Sequence, residues 1–459
     1  MNETTLTDNV RHSKLTETVE RLFELGQPVV SGVVTKADAL SVQVAGLAGF
    51  ATIGSRVLLD PGGRRTEAEI VGFTSGLASA MAFGTLEGVG PGIRAMLVPG
   101  SRAGTLAPCM GWLGRVVDPL GRPLDGAGPL PHGRRRAVKA HPPAATTRAR
   151  LGPRLSLGVR ALDLFATCRT GQRLGMFAGS GVGKSTLLSM LARHAQCDVA
   201  VLALVGERGR EVREFIEDDL GTSGLVRSVV VLATSDQPPL LRREAAYAAM
   251  AVAESFRDQG LSVLLMMDSV TRFCLACREI ALSAGEAPAT RGYPPSVFAE
   301  LPRLLERAGP GPERGQSGPS GQITGLFTVL VEGDDMNEPV ADAVRGILDG
   351  HVVLDRRIGE GGRYPAIDVL RSLSRTVPGC LDPAEAAVTQ DARSVLAMAA
   401  ELSDLVRLGA YVAGSDPAAD RALRLMPSIE RVLRQGRDEP DTLPAAFAAL
   451  SAVMADAHE

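Results

Sequence analysis

Aromatic residues are scarce: one Trp, four Tyr and twelve Phe in 459 residues leave little material for a platform that stacks single-stranded bases. Excess charge is scarce too. A net charge of -3 and a pI near 6.2 argue against the broad basic footprint of a nucleic-acid-binding surface. The six cysteines are scattered far too thinly for a disulfide scaffold and read as reduced cytosolic thiols. Cys274 and Cys277 form a CxxC, but with no second pair or His cluster nearby they read as packed thiols, not a zinc or redox pair. None of the six histidines has ligand spacing. No apolar run approaches the ~18 residues of a spanning helix, and the polar stretch 1–14 lacks the apolar core of a secretory signal. What is left is an ordinary globular composition, 45% apolar and 22% charged, in a chain long enough for two or three domains.

Four segments can be drawn along it. In residues 1–26, Leu15, Val19, Leu22 and Phe23 fall at helical spacing and predict a short amphipathic helix, packed on its own domain or docked on a partner. Residues 27–99 carry short β-rich runs (Val29–Val34, Leu40–Val44, Arg56–Leu59, Ala68–Phe73, Ala95–Val98) separated by Gly, Pro and Asp, the pattern of a small β-barrel. Leu40, Val42 and Val44 alternate as a half-buried strand does. From about residue 100 to 382, apolar runs alternate with helical stretches, which predicts an α/β fold with a parallel sheet under helices. The clearest runs are Leu174–Phe177, Val199–Val205, Ser228–Ala233, Val263–Met267 and Leu326–Val331. The Gly/Pro-rich stretch 309–321 reads as a mobile loop, and Arg134–Arg136, in a Pro-rich linker, as solvated surface. Residues 383–459 are Ala-, Leu- and Arg-rich with helical periodicity throughout.

The strongest local signal is Gly179-Ser180-Gly181-Val182-Gly183-Lys184-Ser185-Thr186, preceded by Ala178 where the strict Walker A pattern has Gly. It follows an apolar strand and opens a helix. Glycines there let backbone N–H groups converge on phosphate oxygens, and the helix N-terminus adds its dipole. Lys184 is then the partner of the β- and γ-phosphates, and Ser185 of Mg²⁺. Asp268, after the run Val263–Met267, has the placement of a Walker B acid and is the second expected Mg²⁺ ligand. Glu207 follows the run Val199–Val205. Parallel strands share one carboxyl edge, so it should face the phosphates and align the attacking water.

Together these residues resemble the rotary ATPase family, whose members include the catalytic subunits of ATP synthases. The stretches Leu113–Gly121 and Pro365–Ser374 match that family's motifs, and the likeness covers nearly the whole chain. Gly292–Phe298, Val331–Pro339 and the Ala178 start resemble its type III protein-export branch, and Arg303–Gly309 with Thr376–Cys380 look most like the flagellar version. The resemblance implies a RecA-like P-loop core, an N-terminal barrel and a C-terminal helical domain. It implies that Glu207 is the catalytic carboxylate, with Arg208 and Glu211 (also near the metal) in its supporting shell. Arg272 is implied near the γ-phosphate, Tyr364 against adenine, and Arg375 as an arginine finger reaching a neighbouring subunit. ATP and Mg²⁺ are the implied cofactors. The implied partners are five further copies of the chain, a stator-like negative regulator at the N-terminal helix, a coiled-coil stalk protein, export-gate membrane proteins and chaperone–substrate complexes, with no nucleic acid. The implied location is cytoplasmic, peripheral to the inner face of the cytoplasmic membrane.

Other readings compete: an injectisome ATPase, an ATP synthase catalytic subunit, a hexameric RNA translocase, and a nucleotide-binding subunit that does not hydrolyse. The RNA reading wants basic and aromatic residues in the second segment, which has Phe50, Phe73 and Phe83 but no Tyr or Trp. The binding-only reading has no use for Glu207.

Overall fold

The computed structural model describes residues 29–99, 104–179, 181–313, 320–331, 335 and 338–455, so the helix expected within residues 1–26 lies outside it. Contacts divide the chain into two units, Met1–Thr105 and Leu106–Glu459. In the first, β1 (Ser31–Ala37), β2 (Ser41–Ala45), β3 (Arg56–Asp60), β4 (Thr66–Thr74), β5 (Leu77–Ala82) and β6 (Arg94–Leu97) close into an antiparallel barrel in the order β1-β2-β5-β4-β3-β6. Closure leaves no open edge, and Val34, Val44, Val57, Leu59 and Ile70 fill the interior. Two expectations need correction. Leu40 lies in the turn before β2 and is exposed, so inward alternation starts at Val42. β5, Leu-Ala-Ser-Ala-Met-Ala, was not among the predicted runs because it holds no β-branched residue. It is a strand because β2 and β4 offer it ladders on both sides, and Ala78 and Ala80 fit a tight interior.

The second unit is built on β7 (Val116–Val117), β8 (Arg173–Ala178), β9 (Val199–Glu207), β10 (Ser228–Thr234), β11 (Ser262–Asp268), β12 (Gln322–Leu330), β13 (Gly350–Leu354) and β14 (Ile367–Ser374). Their order is β14-β13-β8-β12-β11-β9-β10-β7, parallel except for β14, and Gly309–Pro310 adds a ninth short strand against β12. Both faces of the sheet are apolar, as a buried parallel sheet requires. In β9, Val199, Val201, Ala203 and Val205 pack in one core with helices Pro239–Arg257, Val270–Ser283 and Pro295–Leu305. Ala200, Leu202 and Leu204 pack in the other, with helix Lys184–His194 and the C-terminal helices Pro383–Arg407, Pro417–Leu433 and Leu443–Ala455. Each Val or Leu so buried contributes about 1.5–3 kcal/mol. Asp382 starts the first C-terminal helix with a capping box closed by Glu385, and Pro383 follows at N1. Among the described residues no helix is long and apolar enough to cross a membrane.

All five predicted core runs are strands. β13 and β14 escaped prediction: β13 is only five residues long, and β14 is an edge strand with Arg371 and Leu373 exposed. The stretch 309–321, expected to be a mobile loop, is tied at both ends: Gly309 pairs with Ile323, and Gly311 N–H donates to Gly321 O at 3.0 Å.

The family-like run Arg303–Gly309 hides a buried ion pair. Arg307 is fully buried, and its Nε and Nη2 donate to the two oxygens of Glu254 at 2.9 and 2.8 Å while Nη1 donates to Val138 O at 2.7 Å. Burial works to raise the Glu254 carboxyl, but the hydrogen bonds and charge of Arg307 outweigh it and hold it below the usual glutamate range. This contribution to stability is therefore present above the unfolded glutamate's range and is lost as pH falls through the lower folded value. Arg307→Met strips Glu254 of its bidentate partner, and we expect denaturant unfolding of that variant to show a loss of about 3–5 kcal/mol.

Candidate functional site

β8 ends at Ala178, and helix Lys184–His194 follows the glycine-rich segment. Gly181 and Gly183 hold φ of +77° and +90°, a left-handed backbone that a side chain would strain. Gly183 is the N-cap, so the unpaired N–H groups of the first turn open at the strand's end, an anion cradle without side chains. Ser180 lies outside the described residues. Register brings the other strand ends to the same rim: Ala178 opposes Leu330, Met267 opposes Phe327, and Leu204 opposes Asp268.

Glu207 owes its aim to a bulge. The ladder from β9 to β10 slips between Val205 and Glu207, and Gly206 takes φ +66° there. Such a bulge redirects the following side chain. A Cβ on Gly206 would sit 3.3 Å from Cδ of Arg272. Glu207 Oε1 is ion-paired with Arg272 and lies 3.7 Å from Lys184 Nζ, which in turn contacts Asp268 Oδ1 at 2.5 Å. The side chains of Lys184, Glu207 and Asp268 are 12%, 12% and 6% exposed. Two cations and two carboxylates thus neutralise one another in a half-dry pocket. A polyanion arriving at the loop competes with both carboxylates for Lys184 and Arg272, more strongly than it would in open water because little solvent screens them.

Ser185 is exposed at the helix start. Its hydroxyl and the Asp268 carboxylate make an all-oxygen donor set, which suits Mg²⁺. Among the described residues no three His, Cys, Asp or Glu side chains are clustered to hold a metal by themselves, so a cation bound here would need further oxygens from its ligand and from water. Tyr364 is 51% exposed, and a Cβ on Gly183 would lie 3.6 Å from its ring. Its ring therefore flanks the loop and is free to take an apolar base. Arg208 and Glu211 do not join the cluster: they pair with each other at 2.7 Å, with 71% and 38% of their side chains exposed. Arg375 is exposed, and its backbone N–H donates to Asp349 O at 2.9 Å. It stands just past β14, which starts beside Leu354 near the loop and ends beside Gly350 at the opposite rim. Eight residues of strand put it roughly 25 Å from its own phosphate cradle.

Two residues escaped sequence reasoning. Thr328 Oγ1 donates to Asp268 Oδ1 at 2.7 Å, and Thr271 Oγ1 accepts from Leu330 N–H at 2.9 Å and donates to Leu330 O at 3.3 Å, lacing helix Val270–Ser283 to β12. The available signal was a hydroxyl inside an apolar run, which calls for a local partner.

The comparisons agree along the chain. Residues 158–374 match the ATP synthase alpha/beta family, nucleotide-binding domain, and residues 381–452 the T3SS EscN ATPase C-terminal domain. The chain is 52% identical to the flagellum-specific ATP synthase of Caulobacter vibrioides over 95% of its own length and 98% of that protein's. It is 47% identical to the type 3 secretion system ATPase of Xanthomonas euvesicatoria, covering 85% and 86%. Among solved structures it is similar to the assembled ATPase EscN in complex with its central stalk EscO, from the type III secretion system of enteropathogenic E. coli. The TM-score there is 0.81 at 37% identity, covering 92% of this chain and 99% of that one.

Proposed function

Since the chain belongs to the family of flagellum-specific ATP synthases and type 3 secretion system ATPases, and hydrolyses ATP, we propose that it works as a homohexameric ring that drives export of flagellar proteins. The observation that carries its nucleotide chemistry is the meeting of Lys184, Glu207, Asp268 and Arg272, drawn from three separate stretches, at one rim beside the glycine loop.

On binding, Lys184 exchanges its aspartate for the β- and γ-phosphates, and the backbone N–H groups at the start of helix Lys184–His194 take the rest. Ser185 and Asp268 would hold Mg²⁺, which when bound would supply charge neutralisation on the phosphate oxygens. Glu207 then holds the attacking water in line, and Arg272, its present partner, is at hand for the γ-phosphate. Tyr364 packs on adenine. Arg375 completes the site of the next copy. Arg208 and Glu211, paired with each other, stand outside this contact shell.

By analogy with the solved relative assembled with its stalk, a coiled-coil protein enters the ring. Residues 1–26 dock a stator-like regulator, and the helical segment from residue 383 meets chaperone–substrate complexes, unloading them at the export gate on the inner membrane face. Deleting the gene is expected to abolish filament export and motility while respiration continues. Normal motility together with a lost injectisome would instead support the second reading, which the 47% identity to a secretion-system ATPase keeps in play.

A further inference from the structure

Thr328 is fully buried on β12, between the strand that leads to Lys184 and the strand that ends in Asp268. Register sets it opposite Met176 of β8 and one residue beyond Phe327, the partner of Met267. Valine fits such a position better by shape and hydropathy, so the hydroxyl calls for a reason. Oγ1 lies 2.7 Å from Asp268 Oδ1 and 3.2 Å from Met267 O. It has one proton to give, and the nearer, charged acceptor takes it.

Lys184 Nζ reaches that same carboxylate oxygen at 2.5 Å. The two donors differ in what they do when nucleotide arrives. Lys184 leaves for the phosphates, whereas Thr328 is fixed to a central strand and carries no charge that would oppose a cation. Torsion about the last bond of an aspartate is broad, so without a fixed donor the plane of the carboxylate would wander once the lysine had gone.

We propose that Thr328 is a positioning residue: its hydroxyl pins Oδ1 of Asp268 toward the sheet and presents the carboxylate in one plane to the hydrated Mg²⁺ of the bound nucleotide. This rests on the assignment of Asp268 to the metal made above.

The test is binding of a fluorescent ATP analogue to the purified full-length chain, titrated with MgCl₂ and read without turnover. Thr328→Val keeps the volume and removes the donor. It should need about tenfold more Mg²⁺ for half-saturation, the usual size of a lost partner behind a metal ligand, with metal-free binding of the analogue unchanged. Thr328→Ser keeps the hydroxyl and should titrate like the parent. The proposal is overturned if Thr328→Val titrates like the parent, if Thr328→Ser shifts as far as Thr328→Val, or if Thr328→Val loses metal-free binding, since its effect would then be on the fold. Asp268→Asn, run alongside, should lose the Mg²⁺ response. If it titrates normally, the metal assignment itself falls, an outcome distinct from a failure at Thr328 alone.

Discussion

Glu207→Gln should bind MgATP at least as tightly as the parent chain and release phosphate some 10²- to 10⁴-fold more slowly, the usual span for a lost acid–base group. The substitution keeps size and hydrogen-bonding reach, so the bulge at Gly206 and the packing of β9 are undisturbed. It removes one negative charge 3.7 Å from Lys184, which lowers repulsion toward the incoming phosphates. What it cannot replace is a full negative charge accepting a hydrogen bond from the attacking water. Labelled-nucleotide binding and steady-state phosphate release, measured on the same preparation, separate the two effects. Turnover within about tenfold of the parent would strip Glu207 of the water-aligning role.

Arg375→Ala is expected to lower turnover of the assembled ring by roughly 10³- to 10⁵-fold, the reported scale for an arginine acting on the transferring phosphoryl. β14 is the antiparallel strand at one edge of the sheet, and it carries Arg375 away from the loop of its own chain. An arginine so placed is useless in cis and available in trans. Mixing settles it: a Glu207→Gln chain keeps its arginine and an Arg375→Ala chain keeps its glutamate. In rings mixed one to one, roughly a quarter of interfaces pair an intact site with an intact finger. Phosphate release should rise far above that of either parent ring. A mixture no better than its components would refute action across the interface.

Much of this was readable from the chain, for identifiable reasons. Glycine at residues 181 and 183 has a backbone meaning that survives without coordinates, and both take the left-handed conformation the loop demands. The apolar runs ending in Glu207 and Asp268 were legible because a parallel sheet buried on both faces allows no alternation, only continuous hydrophobic stretches. Less legible was anything decided by a neighbour. β5 is a strand by virtue of its partners, and nothing in its own alanines says so. Thr328 gains its meaning only when register sets it against Asp268. The Arg208–Glu211 pair shows the opposite hazard: adjacent in sequence to a site residue, it turns outward and satisfies itself.

The antiparallel edge strand has one more consequence. A chain that shows its glutamate at one rim and its arginine at the other can be served by one neighbour and serve only the other. Were six such chains closed head to tail, the two directions round the circle would not be equivalent. The sheet alone would thus tell clockwise from anticlockwise before any axle is inserted.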